Sequence, residues 1–157
     1  MVGARIVPGQ TSDAVFITNH VLAGALVGAA MPRRPVRAFV AGFASHIVMD
    51  LLPHWGDPTL DGHGFYRVAR RDGILGLAVL AALVAAAPPP RRAVLAGIAG
   101  ACVLDADKPC EHLLGIRPFP AWLDRFHAAI QTESPRWMGF EVAAGVLGAA
   151  ANLLARR

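Results

Sequence analysis

The chain has 157 residues, 55% of them hydrophobic and only 17% charged, against roughly 25% charged in soluble domains. That excess excludes intrinsic disorder, which needs low hydrophobicity and high charge, and two cysteines exclude a disulfide-stapled scaffold. The net charge of +4 comes from short arginine clusters rather than a basic stripe interleaved with aromatics, which argues against nucleic-acid binding.

Five apolar stretches follow in chain order. Residues 14–31 are apolar except for Thr18, Asn19 and His20, and residues 36–52 except for Arg37, Ser45, His46 and Asp50. Residues 73–87 carry no polar side chain, residues 93–104 are short and clean, and residues 137–155 hold only Glu141 and Asn152. No long apolar–polar alternation suggests strands. The reading is a single all-α domain over residues 1–157, an integral membrane bundle of about five helices. Three stretches approach the ~20 residues that cross a hydrocarbon core, and the other two fall short of it.

Charge gives the expected orientation. With five crossings, one face of the membrane receives Arg33, Arg34, Arg37, Arg91, Arg92, Arg156 and Arg157 and no acid. The opposite face receives the other eight cations and all eleven acids. Short arginine-rich loops stay in the cytoplasm, so the C-terminus is expected inside and the N-terminus outside, with the arginines anchored on anionic headgroups. Membrane lipids are the expected partners. Residues 1–12 lack the pattern of a cleavable signal, and Ser12 or Asp13 is the expected N-cap of the first helix. Trp55, Phe65, Tyr66, Phe119, Trp122 and Trp137 are expected in an outer aromatic belt. Gly24 and Gly28 form one G-x-x-x-G, which permits close helix approach.

All six histidines fall on the acid-rich side. His46 and Asp50 are spaced i,i+4 and share a helical face. Pro53 ends that helix and leaves His54 free to turn back toward the same point. Nitrogen and carboxylate donors so placed suit Zn²⁺, with Mn²⁺ and Fe²⁺ as alternatives; mutual neutralisation of His46 and Asp50 is the plain alternative. Asp105 and Asp107 end the fourth stretch, where carboxylates oppose the helix dipole unless a cation lies close by. His20 lies level with these groups in the five-crossing topology.

His127 falls in residues 122–133, where Trp122, Phe126 and Ile130 recur every four residues, the pattern of an amphipathic helix on the outer surface. Glu141 lies one turn into the last helix, and an intramembrane glutamate is a functional candidate by default. His63 and His112 read as ordinary loop residues, and Cys102 and Cys110 as structural. No G-x-S-x-G elbow, Walker-type loop or dinucleotide fingerprint is present.

The run His46-x-x-x-Asp50-x-x-Pro53-His54, with His20 upstream and Asp105-Ala106-Asp107-Lys108-Pro109 downstream, resembles the small prokaryotic membrane-bound metal-dependent hydrolases. More distantly it is similar to zinc-dependent phospholipase C. The resemblance implies an all-helical fold in a prokaryotic cytoplasmic membrane and hydrolysis of phosphoesters or lipid headgroups. His46, Asp50 and His54 match the family's histidine–aspartate helix, and Asp105 and Asp107 its Leu-Pro-Asp-x-Asp-His-Pro segment. Leu104 and Lys108 stand where that segment has proline and histidine, and the family's Arg-Gly-x-Thr-His-Ser segment has no counterpart.

The expectation is therefore a metal-dependent hydrolase at the extracytoplasmic face. His20, His46, Asp50, His54, Asp105 and Asp107 are its metal ligands, and His127 or Glu141 its general acid or base. The rival expectations are a non-enzymatic metal carrier or assembly factor and a soluble helical bundle.

Overall fold

The computed structural model describes residues 16–57, 62–88 and 91–155, the side chains of Gly62, His63, Phe65, Tyr66 and His112 excepted. The Ser12/Asp13 cap, residues 1–15, the Pro89–Pro90 part of the third turn, Arg156 and Arg157 lie outside the described residues. The chain is all-α. Its main helices are α1 (Ile17–Ala30), α2 (Pro35–Leu51), α3 (Gly62–Ala86) and α4 (Arg92–Cys102), followed by a three-residue turn α5 (Asp107–Pro109), α6 (Ala121–Ile130) and α7 (Met138–Leu154).

Prolines punctuate it. Pro35 opens α2 at its first turn, where the missing N–H costs nothing. Pro53 follows the extended residue Leu52, which closes α2, and Pro120 precedes α6. Between α4 and α6 the chain runs through the 3₁₀ turn Leu104–Ala106, α5 and the π turn Cys110–Leu114. Gly115, at φ 67°, ends this run in the left-handed conformation that favours glycine.

Two elements differ from expectation. Helix α3 starts at Gly62, eleven residues before the apolar stretch at Gly73. Arg67, Val68, Ala69, Arg70, Arg71 and Asp72 contain no breaker, so the helix continues past the point where hydropathy fades. The surface helix ends at Ile130 rather than at 133. Thr132 and Glu133 instead form strand β2, paired in parallel with β1 (Pro53–His54) in the register Pro53↔Thr132 and His54↔Glu133.

Helix α1 is the centre of the bundle and packs against α2, α3, α4 and α7, while α4 is wedged between α1 and α2. The apolar core gathers Val21 and Ala25 of α1, Val94 and Ile98 of α4, and Ala87 after α3. Three stripes of small residues set the closest approaches. They are Gly24 and Gly28 on α1, Ala38 and Gly42 on α2, and Ala93, Gly97 and Ala101 on α4. A Cβ on Gly24 would lie 2.6 Å from the Gly97 carbonyl oxygen, and one on Gly42 would also strike that oxygen. Backbone-on-backbone contact of this kind is what small-x-x-x-small spacing permits.

The segment Pro135–Leu154 is long and apolar enough to cross a membrane. Helices α1 and α4 are apolar but shorter.

Candidate metal centre

Each small-residue stripe ends in a donor. Continuing by fours, Gly28 and Gly24 lead to His20, Ala38 and Gly42 to His46 and then Asp50, and Ala93, Gly97 and Ala101 to Asp105. Residues four apart share a helix face, so the contacts that draw α1, α2 and α4 together also bring these donors to one end of the bundle. His127 reaches the same place from α6. The sequence places four of these five among its expected ligands; His127 was expected as an acid or base instead.

The geometry is tight. Asp50 Oδ2 lies 3.0 Å from His46 Nε2 and 2.9 Å from His127 Nε2, and those two nitrogens are 3.1 Å apart. Asp50 Oδ1 lies 3.4 Å from His20 Nε2. The His20 and His46 rings are stacked at 4.3 Å. Asp105 stands one step further out, with Oδ2 3.8 Å from His20 Nε2 and Oδ1 3.8 Å from His127 Nε2. His20, His46 and Asp50 are 0% exposed, whereas the Asp105 side chain is 19% exposed and forms the rim.

The tautomer of His46 follows from its other nitrogen. Nδ1 lies 2.7 Å from the Ala101 carbonyl oxygen, a last-turn carbonyl with no helical partner of its own. Nδ1 must therefore donate, so that in the neutral ring Nε2 carries the lone pair. This is the usual second-shell arrangement of a metal-binding histidine. Opposite it, His127 Nε2 faces both that lone pair and the Asp50 carboxylate. One proton on His127 Nε2 can satisfy only one of them, and a cation satisfies all three. Tetrahedral zinc with Zn–N near 2.0–2.1 Å separates its nitrogens by about 3.3 Å, close to the spacing seen here.

The unsatisfied atoms point the same way. Both nitrogens of His20, Asp50 Oδ1 and Asp105 Oδ2 are buried without a hydrogen-bond partner. Each such group costs about 1–3 kcal/mol when left unmade. Two triads of donors, His20/His46/Asp50 and His46/Asp105/His127, each lie within 4.8 Å and share His46. Nitrogen and carboxylate oxygen donors grouped in this way can hold a metal ion.

Three expected site residues stand apart from this group. His54 turns its Nδ1 to the Leu52 carbonyl at 2.8 Å and its Nε2 to Glu133 Oε1 at 3.8 Å. Burial opposes its charge, but the Glu133 carboxylate, the Leu52 carbonyl and the field of Asp50 raise its pKa above the ordinary histidine value. Its place is fixed by the β1–β2 pairing, which aligns it with Glu133. Asp107 accepts from its neighbour Lys108 through both the backbone N–H at 2.7 Å and Nζ at 3.1 Å. Glu141, buried at the start of α7, accepts from the Asn19 side-chain amide and, at 3.3 Å, from the Trp55 N–H.

Those bonds also move Trp55 out of the expected aromatic belt. It is buried and its ring packs 5.6 Å from Phe16. Trp122 remains exposed.

Gln131 is the residue that sequence reasoning passed over. It lies one turn after His127, with Nε2 3.1 Å from His127 Nε2 and Oε1 buried and unpartnered. A half-turn of the carboxamide exchanges these atoms and presents an oxygen to the centre. The i,i+4 spacing of His127 and Gln131 on an amphipathic helix was the available signal. Comparison with family models, curated proteins and solved structures finds no match to this chain.

Proposed function

We propose that the chain is an integral membrane protein of five crossings carrying a metal-dependent hydrolase site at its extracytoplasmic end. The observation that carries the catalytic part is the convergence of His20, His46, Asp50, Asp105 and His127, from four separate segments, around buried lone pairs with no partner.

The membrane part is supported by what the outer helices expose. Val36, Val40, Val48 and Leu51 of α2, Ile74 and Leu77 of α3, and Val146 and Leu147 of α7 are among many large apolar residues facing outward. Soluble monomers rarely expose contiguous apolar patches of more than a few hundred Å². Helices α1 and α4 fall short of the ~30 Å core at 1.5 Å per residue. Helix α1, packed against α2, α3, α4 and α7, need not match lipid along its whole length. The donor end coincides with the acid-rich side, and the arginines of the 31–35 turn and of 91–92 lie at the other. By the positive-inside rule that other end is cytoplasmic.

His46, His127 and Asp50, with His20 beside them, would hold a divalent cation, and the chemistry it would supply there is Lewis acidity toward a substrate oxygen and a bound water. The remaining chemistry belongs to the chain. Ala101 fixes the His46 tautomer. Asp105, the most exposed of the five, has its side chain 19% exposed at the rim, where its carboxylate can take a proton from an approaching nucleophile. A site at headgroup depth suits a phosphoester or lipid-headgroup substrate, in line with the resemblance to membrane-bound metal-dependent hydrolases.

The test is hydrolysis of a panel of phospholipids and soluble phosphate esters by detergent-purified protein, stripped by chelator and then reloaded with Zn²⁺, Mn²⁺ or Fe²⁺. Activity that disappears on stripping, returns with metal and is absent from Asp105→Asn supports the reading. Stoichiometric metal without turnover of any ester overturns it in favour of a metal carrier or assembly factor. The near-complete burial of the donors is the observation that keeps that second reading in view.

A further inference from the structure

On the side of α1 away from the donor cluster, a cavity of about 660 Å³ opens between α1, α3 and α7. Its walls are almost wholly apolar, with Leu75 and Val79 from α3, Val142 and Val146 from α7, and Leu22 from α1. It shares no residue with the two donor triads. We propose that this groove holds one acyl chain of an anionic membrane phospholipid, with the headgroup at Arg71; the proposal rests on the membrane-embedded reading above.

Length supports a lipid chain. Along α7 the groove runs from Glu141 and Val142 to Asn152 and Leu153, about 17 Å at the helical rise. That is close to half of a ~30 Å hydrocarbon core, the depth of one leaflet. Position supports it as well. On α3 the groove begins at Val68 and passes Arg71 and Asp72, immediately before the apolar run that starts at Gly73. The one polar group at its deep end, Asn152, donates to the Leu22 and Gly148 carbonyls and leaves no donor facing an apolar guest.

Charge at the mouth selects the headgroup. Two carboxylates lie there, but both are turned into α1. Asp72 accepts from Thr18 Oγ1 at 2.6 Å, and Glu141 accepts from the Asn19 amide and the Trp55 N–H. Arg71 is exposed, and Arg67 and Arg70 are exposed on the turn before it. None of the three enters an ion pair found among the described residues. This ridge of cations at the boundary of an apolar groove is complementary to a phosphate and its acyl chain. On α1, Thr18 and Asn19 line the groove and the next residue, His20, enters the donor cluster. A lipid seated here therefore holds its phosphate on the neighbouring side of the same helical turn as the proposed centre.

The experiment uses the full chain in phosphatidylcholine nanodiscs doped with phosphatidylglycerol carrying a photoactivatable acyl chain, or with phosphatidylcholine carrying the same chain. Labelled peptides are mapped by mass spectrometry. Labelling concentrated on α3 and α7 facing the groove, and lost in Ala149→Trp, supports the proposal. Arg71→Glu is expected to reduce phosphatidylglycerol labelling about fivefold relative to phosphatidylcholine labelling.

Labelling spread evenly over α2, α3 and α7 overturns the proposal. So does a groove closed by α7–α7 cross-links between two copies, or a chain that stays soluble without detergent. Bound metal is measured in the same preparations. Groove labelling in a protein that takes up no metal overturns the hydrolase reading alone, and metal without groove labelling overturns the lipid site alone.

Discussion

Asp50→Asn is the sharpest perturbation of the candidate centre. The substitution keeps the side chain's shape and removes its charge. Asp50 is 0% exposed and lies 3.4, 3.0 and 2.9 Å from the Nε2 atoms of His20, His46 and His127, so no solvent can replace the missing carboxylate. In the metal-free protein the asparagine amide can still donate to an imidazole, and the loss of stability should stay near the lower end of the ~1–3 kcal/mol cost of an orphaned buried group.

Metal binding should respond much more strongly. Altering a residue that merely supports a ligand costs about 10–100-fold in affinity, and Asp50 is itself a donor. At least ~100-fold, about 2.7 kcal/mol, is therefore expected. Zinc at a hundred times the wild-type dissociation constant stabilises the wild type by about 2.7 kcal/mol and the variant by only about 0.4 kcal/mol. For a domain of this size the wild-type Tm should rise by roughly 5–10 °C on adding zinc, and that of Asp50→Asn by about 1 °C. Elemental analysis after dialysis against chelator, with thermal unfolding in detergent with and without zinc, reads both quantities. Asp107→Asn is the control, because Asp107 is held by Lys108. Equal metal content and zinc response in wild type and Asp50→Asn would refute the assignment, as would an equal loss in Asp107→Asn.

Three further outcomes are expected. Gly97→Ala should destabilise the bundle by about 1–3 kcal/mol through overpacking, because its Cβ would strike the Gly24 carbonyl and lie 2.9 Å from Gly28 N; chemical denaturation checks this. Glu141→Ala strands the buried Trp55 N–H at a cost of about 1–3 kcal/mol, yet should leave metal content at the wild-type level. The His54–Glu133 pair raises the folded-state pKa of His54. Its stabilisation is therefore fully present below the unfolded value near 6.5 and fades as pH rises through the higher folded value. Tm measured across that window should fall with pH in the wild type, and His54→Gln should flatten the slope.

Much of the site was legible in the residues themselves. The i,i+4 pairing of His46 and Asp50 needs only helical geometry, and the structure keeps it at 3.0 Å. His20 and Asp105 were legible through the level at which a five-helix topology places them. The G-x-x-x-G of α1 carried more than it suggested. Small residues on α2 and α4 recur at the same spacing, and each of the three stripes runs into a donor, so one pattern encodes both the packing and the site. His54 was misleading for a definite reason. Proximity in the chain brings it near Asp50, but the β1–β2 pairing, between residues about eighty apart, turns it to Glu133. Glu141 likewise stands out as a charge in an apolar helix, while its partners Asn19 and Trp55 lie in other elements.

The sequence by itself determined that the chain is helical, where prolines end its helices, and that its donors collect on the side opposite the arginine-rich turns. These depend on local geometry, on hydrophobicity and on charge counted along the chain. Only the tertiary structure decided that His127 joins the donors with Gln131 beside it, that Asp107, His54 and Glu141 are engaged elsewhere, and that a lined groove opens between α3 and α7. Those outcomes depend on which faces meet across long separations. That is set by backbone approach at Gly24, Gly42 and Gly97, to a tolerance of a few tenths of an ångström that no spacing rule carries.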